Sequence, residues 1–355
     1  MPRSVREFVL PAVRAAVVCV SVGWLGAAPA TAQTVLKLSS YLPSSHWIMA
    51  DGVREWASEV EKASNGTLKI NVYTTPIGRP DQQFDLAKDG ITDLALGVLT
   101  YTPGRGVIYE IGAAPGAGQL SESRGVAAWR LTKRTPAMLK EYEGVVPLAV
   151  ASTPPMVFLT RTPPIENVGQ FSGQKAFVSS AAGSAVAKSL GMVPVVQPPT
   201  SAFQLISGGV VDGGFLTADG ISAFKLERVA KGVLITPGGF GGGLMFLGMN
   251  PDAYGKLTDQ QRAALQKASG ENFARIIGKI WDKRDAAGLA AAQAHGAVVK
   301  QADAAMVAAI GQRTAQADAL WIGEVAARRP GVDGKALLAD FRAEVQRVEA
   351  EIAKR

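Results

Sequence analysis

Ser201-Ala202-Phe203-Gln204-Leu205-Ile206-Ser207-Gly208-Gly209-Val210-Val211-Asp212-Gly213-Gly214-Phe215 is the stretch that decides the fold class. Ser201 and Gln204 have the spacing of a capping box, which opens a short helix ending near Gly208. The apolar run from Val210 to Phe215 reads as the strand that follows. Working backwards, Met156 to Leu159 and Ala176 to Val178 predict two more strands, and Ala181 to Leu190 predicts a helix.

The same alternation occurs upstream. Val35 to Ser39 alternates apolar and polar side chains as a strand does, and Ala50, Val53, Trp56, Ala57 and Val60 then fall at helical spacing. Asn65-Gly66 marks a turn, after which Leu68, Ile70 and Val72 alternate. Gln82 to Lys88 predicts a helix, and Leu94 to Val98 a short buried strand. A strand–helix series given twice predicts an α/β protein of two lobes, each with a largely parallel sheet. Ser121 to Tyr142 reads as a helix and Val145 to Ala151 as a strand, so Pro154-Pro155 is the expected crossing point. Gly238 to Gly243 reads as a flexible loop. Thr258-Asp259-Gln260-Gln261 is a second capping box, heading a long helical stretch towards Gly296. Leu338, Phe341, Val345, Val348 and Ile352 form one apolar seam of a final helix, packed on its own lobe or, alternatively, against a second copy.

A chain of 355 residues suits two domains of about 100–200 residues each. Its one cysteine, Cys19, and two histidines, His46 and His295, exclude a disulfide scaffold, a Cys/His zinc module and a Cys–His nucleophilic pair. The formal net charge of +7 is spread without a basic stripe interleaved with aromatics, which argues against nucleic acid as a partner. Arg3, Arg6 and Arg14 flank an apolar stretch from Ala15 to Ala28, and Ala30-Thr31-Ala32 has the small-x-small form of a cleavage site. That stretch is well short of the ~20 residues that span a bilayer. Residues 1–32 are therefore expected to be a signal peptide rather than an anchor, with Gln33 as the mature start and the periplasm as destination.

Motifs for bond chemistry are missing. Ala182 to Ser189 ends in the Lys-Ser of a phosphate loop without its framing glycines, and neither a G-x-S-x-G elbow nor an H-E-x-x-H pair occurs. His46 sits in a strand-to-helix loop, where a ligand can meet helix amides. No catalytic residue, metal ligand or cofactor is predicted.

The chain resembles the substrate-binding proteins of TRAP (tripartite ATP-independent periplasmic) transporters, the DctP-like family. The resemblance rests on Leu42-Pro43-Ser44-Ser45-His46, Gly90-Ile91-Thr92-Asp93-Leu94-Ala95, Thr102-Pro103-Gly104-Arg105, Gly208-Gly209-Val210-Val211-Asp212-Gly213 and Met249-Asn250-Pro251-Asp252, in that order. It implies a type II-like two-lobe binding protein that closes over a small organic acid and delivers it to membrane permease subunits. The expected organisation is a first lobe of residues 33–153, a second of 154–237, a return to the first over 238–257, and a bridging helix with C-terminal helices over 258–355. The bridging helix would begin at Thr258. A monomer is expected, with a dimer as the alternative; a periplasmic enzyme, or a sensor or scaffold on the same fold, is the alternative function.

Departures from the family pattern carry the expectation about the ligand. Phe177 stands where the family places a carboxylate-clamping arginine, Val157 where a polar or basic residue is frequent, Phe203 for a tyrosine, and Leu216 for an asparagine. The resemblance therefore implies an apolar pocket for an acid with an aromatic or apolar body, its carboxylate held by loop amides or Arg161. Phe177, Phe203 and Phe215 would enclose that body. Trp47, Tyr101 and Phe240 are further aromatic candidates, and His46, Ser179 and Asp219 complete the expected site. On this reading, Phe177→Arg would create affinity for a generic carboxylate.

Overall fold

The computed structural model describes residues 33–355 apart from Pro103. The expected signal peptide, including Cys19, and Pro103 of the third motif lie outside the described residues. From Thr34 the chain runs β1 (Thr34–Ser40), α1 (Arg54–Ala63), β2 (Leu68–Val72), α2 (Gln83–Lys88), β3 (Leu94–Gly97), α3 (Ser121–Arg134), α4 (Pro136–Lys140) and β4 (Val146–Ser152). It continues through β5 (Val157–Thr160), β6 (Lys175–Val178), α5 (Ala181–Ser189), β7 (Val193–Val196), α6 (Ala202–Ser207), β8 (Gly213–Leu216), α7 (Asp219–Ala223) and β9 (Gly232–Ile235). The last elements are β10 (Leu244–Met249), α8 (Pro251–Gly255), α9 (Asp259–Ala268), α10 (Glu271–Ala294), β11 (Val298–Gln301), α11 (Ala304–Arg328) and α12 (Gly334–Ile352).

Two mixed sheets result, ordered β2-β1-β3-β10-β4 and β11-β9-β5-β8-β6-β7. In the first, β1 pairs in parallel with β2 and β3, while β10 returns antiparallel between β3 and β4. In the second, β6 is parallel to β7 and β8, and β5 runs antiparallel to β8 and β9. Helices cover both sheets, as an α/β protein requires.

The G-x-x-D segments have the same structural job in each lobe. Gly90 follows α2 with φ +71° and Gly209 follows α6 with φ +68°, the left-handed conformation that glycine adopts without a Cβ penalty. Three residues later, Asp93 accepts the Lys37 amide of β1 at 2.8 Å and Asp212 accepts the Lys175 amide of β6 at 2.9 Å. Each carboxylate thereby fixes where a new strand joins its neighbour. Asn250 of the last motif accepts the Ala253 amide to cap α8 and donates to the Ala87 carbonyl at the end of α2.

Several sequence expectations need correction. Ser201 makes no cap, because Pro199 starts a 3₁₀ turn that leaves Ser201 in helical rather than extended backbone. The strand after it begins at Gly213, and Val210 lies in a turn, 51% exposed. Thr135-Pro136 divides the helix expected over 121–142. Thr258 does form its capping box, but that helix stops at Ala268, so the bridging helix begins at Glu271. Gly270, at φ +60°, makes the break; a Cβ there would meet the Trp129 indole at 2.7 Å. The sequence patterns do not predict strands β7, β9, β10 and β11. Gly238–Gly243 is no free loop: the Phe240 amide donates to the Met156 carbonyl (2.9 Å), and the Met156 and Thr153 amides donate to Gly241 (2.8 Å) and Gly243 (2.9 Å). The two segments crossing between the lobes are thus laced together. The α12 seam is taken up internally, Leu338, Phe341 and Val345 entering the first-lobe core and Val348 meeting Val126 and Ala274.

Candidate functional site

A cleft of about 510 Å³ opens between the two sheets. The first lobe contributes Tyr41 just beyond β1, Arg79 and Asp81 ahead of α2, Tyr101 beyond β3, and Tyr109 and Glu110 from the 3₁₀ turn Ile108–Ala113. The second lobe contributes Met156, the Ser179–Ala182 corner between β6 and α5, and Val196 at the end of β7. Thr153, Gly242 and Gly243 of the crossing segments form the floor, and Trp281 of α10 closes one side. The cleft therefore lies at the carboxyl ends of β1, β3, β6 and β7, where open α/β sheets place ligands.

Two local features shape what the cleft can hold. The Tyr41 and Tyr101 rings meet edge to face, 5.8 Å apart at 71°, and give the first-lobe wall an aromatic corner. Opposite, Ser180 is in extended backbone and its Oγ accepts the Gly183 amide at 3.0 Å, capping α5. The Ala181 and Ala182 amides find no acceptor among the described residues, so the positive end of the α5 dipole faces the cleft.

Charge in the cleft is mostly spoken for. Arg79 grips Asp81 as a fork, Nε to Oδ1 at 3.0 Å and Nη2 to Oδ2 at 2.7 Å, which holds the Asp81 carboxyl below its usual range. Glu110 is different: its carboxylate has no hydrogen-bond or ion-pair partner among the described residues. Burial, aided by Glu324 and opposed by Arg328, pushes it up. Glu110, Ala113, Ala181 and Ala182 also line a second chamber of about 310 Å³, walled by α5 and by Ala317, Leu320 and Trp321 of α11.

The expected site residues fall into three groups. Tyr101 and Ser179 line the cleft. His46, Trp47 and Asp219 gather behind Trp281 instead: the Trp281 indole donates to Asp219 Oδ1 at 3.1 Å and meets the Trp47 ring edge to face at 5.2 Å. His46 stacks obliquely on Trp47 at 5.6 Å, its Nδ1 accepting the Ile48 amide, and burial lowers its pKa. The third group lies away from the cleft. Phe215 and Phe240 join Phe158 and Phe171 in a buried aromatic cluster, with Phe158 and Phe215 4.8 Å apart and Phe215 and Phe240 5.0 Å apart. Val157, Phe177 and Leu216 are core residues in one cluster with Ala202 and Ile206, and Phe203 packs at its edge. Phe177 crosses Gly214 in the sheet, where a Cβ would approach Phe177 Cβ to 2.8 Å. Arg161 is exposed beside Gly209 at the far end of β5. The aromatic lining thus comes from Tyr41, Tyr101, Tyr109 and Trp281 rather than from the phenylalanines. Tyr41 could have been found from its place one residue after β1; Arg79, Glu110 and Trp281 carry no comparable signal.

Two lobes joined by laced crossing segments and a bridging helix, around a cleft at strand ends, define an extracytoplasmic solute receptor of the periplasmic binding protein class. The chain belongs to the bacterial extracellular solute-binding protein family 7 (DctP), whose model matches residues 38–318. Its fold is shared by a TRAP periplasmic solute-binding protein from Bordetella bronchiseptica with bound (R)- and (S)-mandelate, which is 30% identical over 89% of this chain and 99% of that one, with a TM-score of 0.79. A TRAP solute-binding protein from Rhodoferax ferrireducens with copurified benzoate has the same fold, at 24% identity, 90% and 100% coverage and a TM-score of 0.80. The chain is also 25% identical to the outer membrane transporter protein TsaT of Comamonas testosteroni, over 87% of this chain and 91% of that protein. Receptors of this family bind small molecules outside the cytoplasm and work with membrane permeases.

Proposed function

We propose that this receptor captures an aromatic monocarboxylate in the interlobe cleft and hands it to a TRAP-type permease, making and breaking no bonds. The observation that carries the reading is the pairing of an aromatic corner, Tyr41 and Tyr101, with the unoccupied amides of Ala181 and Ala182 across the cleft. The ring packs against the tyrosines and Trp281, and the carboxylate takes the α5 amides and the Ser179 hydroxyl in place of an arginine clamp. The mandelate and benzoate found in the two related receptors support this ligand class. Residues 33–153 with 238–257 act as one closing lobe and 154–237 as the other. The protein works as a monomer in the periplasm after cleavage near Ala32.

Calorimetric titration of the protein purified from the periplasm tests this, with benzoate, mandelate, succinate and a neutral ring compound such as benzyl alcohol. Tight binding of the aromatic acids alone is expected; binding of succinate alone overturns the aromatic reading. Amino-terminal sequencing of the same sample should begin at Gln33.

A further inference from the structure

The two chambers meet at Glu110. Its half-buried carboxylate stands at the waist of the interlobe groove, facing the Tyr101 chamber on one side and the α11 chamber on the other. The lining that the two chambers share with it is apolar, Ala113 on its own turn and Ala181 and Ala182 on α5, and α11 adds Leu320 and Trp321; the charged lining residues are Asp318, Glu324 and Arg328 in the α11 chamber and Arg79 and Asp81 in the cleft. The indole N–H of Trp321 is already given to the Val107 carbonyl at 2.9 Å, so it cannot serve the carboxylate. The neighbouring acid Asp318 is held by Arg342 at 2.7 Å, and Glu324 and Arg328 approach each other only to 4.0 Å at the exposed rim. Half-buried and without a protein donor, the carboxylate depends on solvent or on a ligand for its hydrogen bonds.

Building on the proposed aromatic-acid reading, we infer that Glu110 is a specificity-determining residue that accepts a hydrogen bond from an uncharged donor on the ligand ring, remote from the ligand carboxylate. The ligand class is then a hydroxylated aromatic monoacid, not a bare ring acid and not a diacid. A hydroxyl reaching the waist satisfies Glu110 without adding charge. A second carboxylate placed there meets a like charge in partly desolvated surroundings and is rejected. Burial is the largest cause that raises the pKa of Glu110, as expected of a carboxylate that no protein donor stabilises.

The test compares benzoate, 3- and 4-hydroxybenzoate and benzene-1,4-dicarboxylate by calorimetry against the wild-type protein and the variants Glu110→Leu and Glu110→Gln. Wild type should prefer its better hydroxybenzoate over benzoate by about tenfold or more, the range of a hydrogen bond to an ionised group. Glu110→Leu should bring that ratio close to one. Glu110→Gln removes the charge but keeps an acceptor, so it should retain part of the preference and bind the diacid at least tenfold more tightly than wild type does. Wild type that binds aromatic acids with no preference for a hydroxyl, or a ratio that survives in a folded Glu110→Leu, overturns the role of Glu110 while leaving the aromatic-acid reading standing. Wild type that binds none of the four acids, yet binds a non-aromatic acid, overturns both. Should Glu110→Leu fail to fold, the diacid gain in Glu110→Gln decides alone.

Discussion

Asp282 and Asp285, three residues apart on the bridging helix, cap helices that belong to different lobes. Asp282 accepts the Ser121 and Glu122 amides at the start of α3, at 2.7 and 3.2 Å. Asp285 accepts the Asp219 amide at the start of α7, at 2.9 Å. A glycine accompanies each carboxylate: a Cβ on Gly278 would lie 2.3 Å from Glu122 Cα, and one on Gly288 would lie 1.9 Å from the Ala218 carbonyl oxygen. One face of α10 therefore receives an incoming helix from each lobe, with glycine giving the close approach and aspartate satisfying the free amides.

Gly288→Ala tests the closeness of that contact. The nearest neighbours of the added methyl are backbone atoms of Ala218 and Asp219, which cannot swing aside as a side chain would. Overpacking of this kind costs about 1–3 kcal/mol. Urea unfolding should show the loss as a lower midpoint, and α7, being the displaced element, should become more protease-sensitive. An unchanged midpoint would mean that the second lobe is free to slide along α10.

The two carboxylates also set a pH dependence. Burial is the largest cause that raises Asp282 to about 6 and Asp285 to about 7, with Glu122 and Asp219 adding like charge. Because their folded pKa values lie above the unfolded value near 3.9, the folded state holds more protons between roughly pH 4 and 7, and stability falls as pH rises through that window. Opposing groups such as Glu271, held down chiefly by Arg130, lose their contribution only below about pH 4.5. The melting temperature should therefore peak near pH 5. Asp285→Asn keeps an acceptor for the α7 amide without the charge, so it should flatten the slope between pH 5 and 7 and stabilise the protein at pH 8 by on the order of 1 kcal/mol. Melting curves at pH 5, 6, 7 and 8 for both proteins read this directly.

The ligand carboxylate can be tested by removing a single amide. Ala181 is the first residue of α5 and follows Ser180 at φ −151° and ψ 164°, an extended backbone that tolerates a following proline. Ala181→Pro should leave the helix intact while deleting one N–H at the cleft. A folded variant should bind benzoate about tenfold more weakly, the scale of a lost hydrogen bond to an ionised group. Equal affinity would move the carboxylate away from the α5 corner.

The strand and helix series was legible because period-two and helical patterns fix which face of an element is buried. Asp93 and Asp212 were legible as well, although as motif members; their job of stapling β1 and β6 emerges only when the neighbouring strand is in place. The cleft was harder to read for a physical reason. A strand's alternation gives its two faces, and the series alone does not reveal which strand ends converge with loops from the other lobe. Tyr41, Glu110 and Trp281 come together from three distant segments, whereas Phe177, Phe215 and Phe240 look equally aromatic in the sequence and end up filling the second lobe.

Phe177→Arg separates these two placements. The expectation from the family pattern is a new carboxylate clamp at this position. In the fold, Phe177 is 1% exposed, packed against Gly214 on β8 and clustered with Ile206 and Val211. An arginine there would leave a charge among apolar side chains with no carboxylate to pair it, at a cost of several kcal/mol. The variant should therefore lose its cooperative melt or express as aggregate, without gaining affinity for acetate or succinate. A well-folded Phe177→Arg protein that binds such acids more tightly than wild type would show that this strand turns towards the cleft, and the arginine-clamp reading would return.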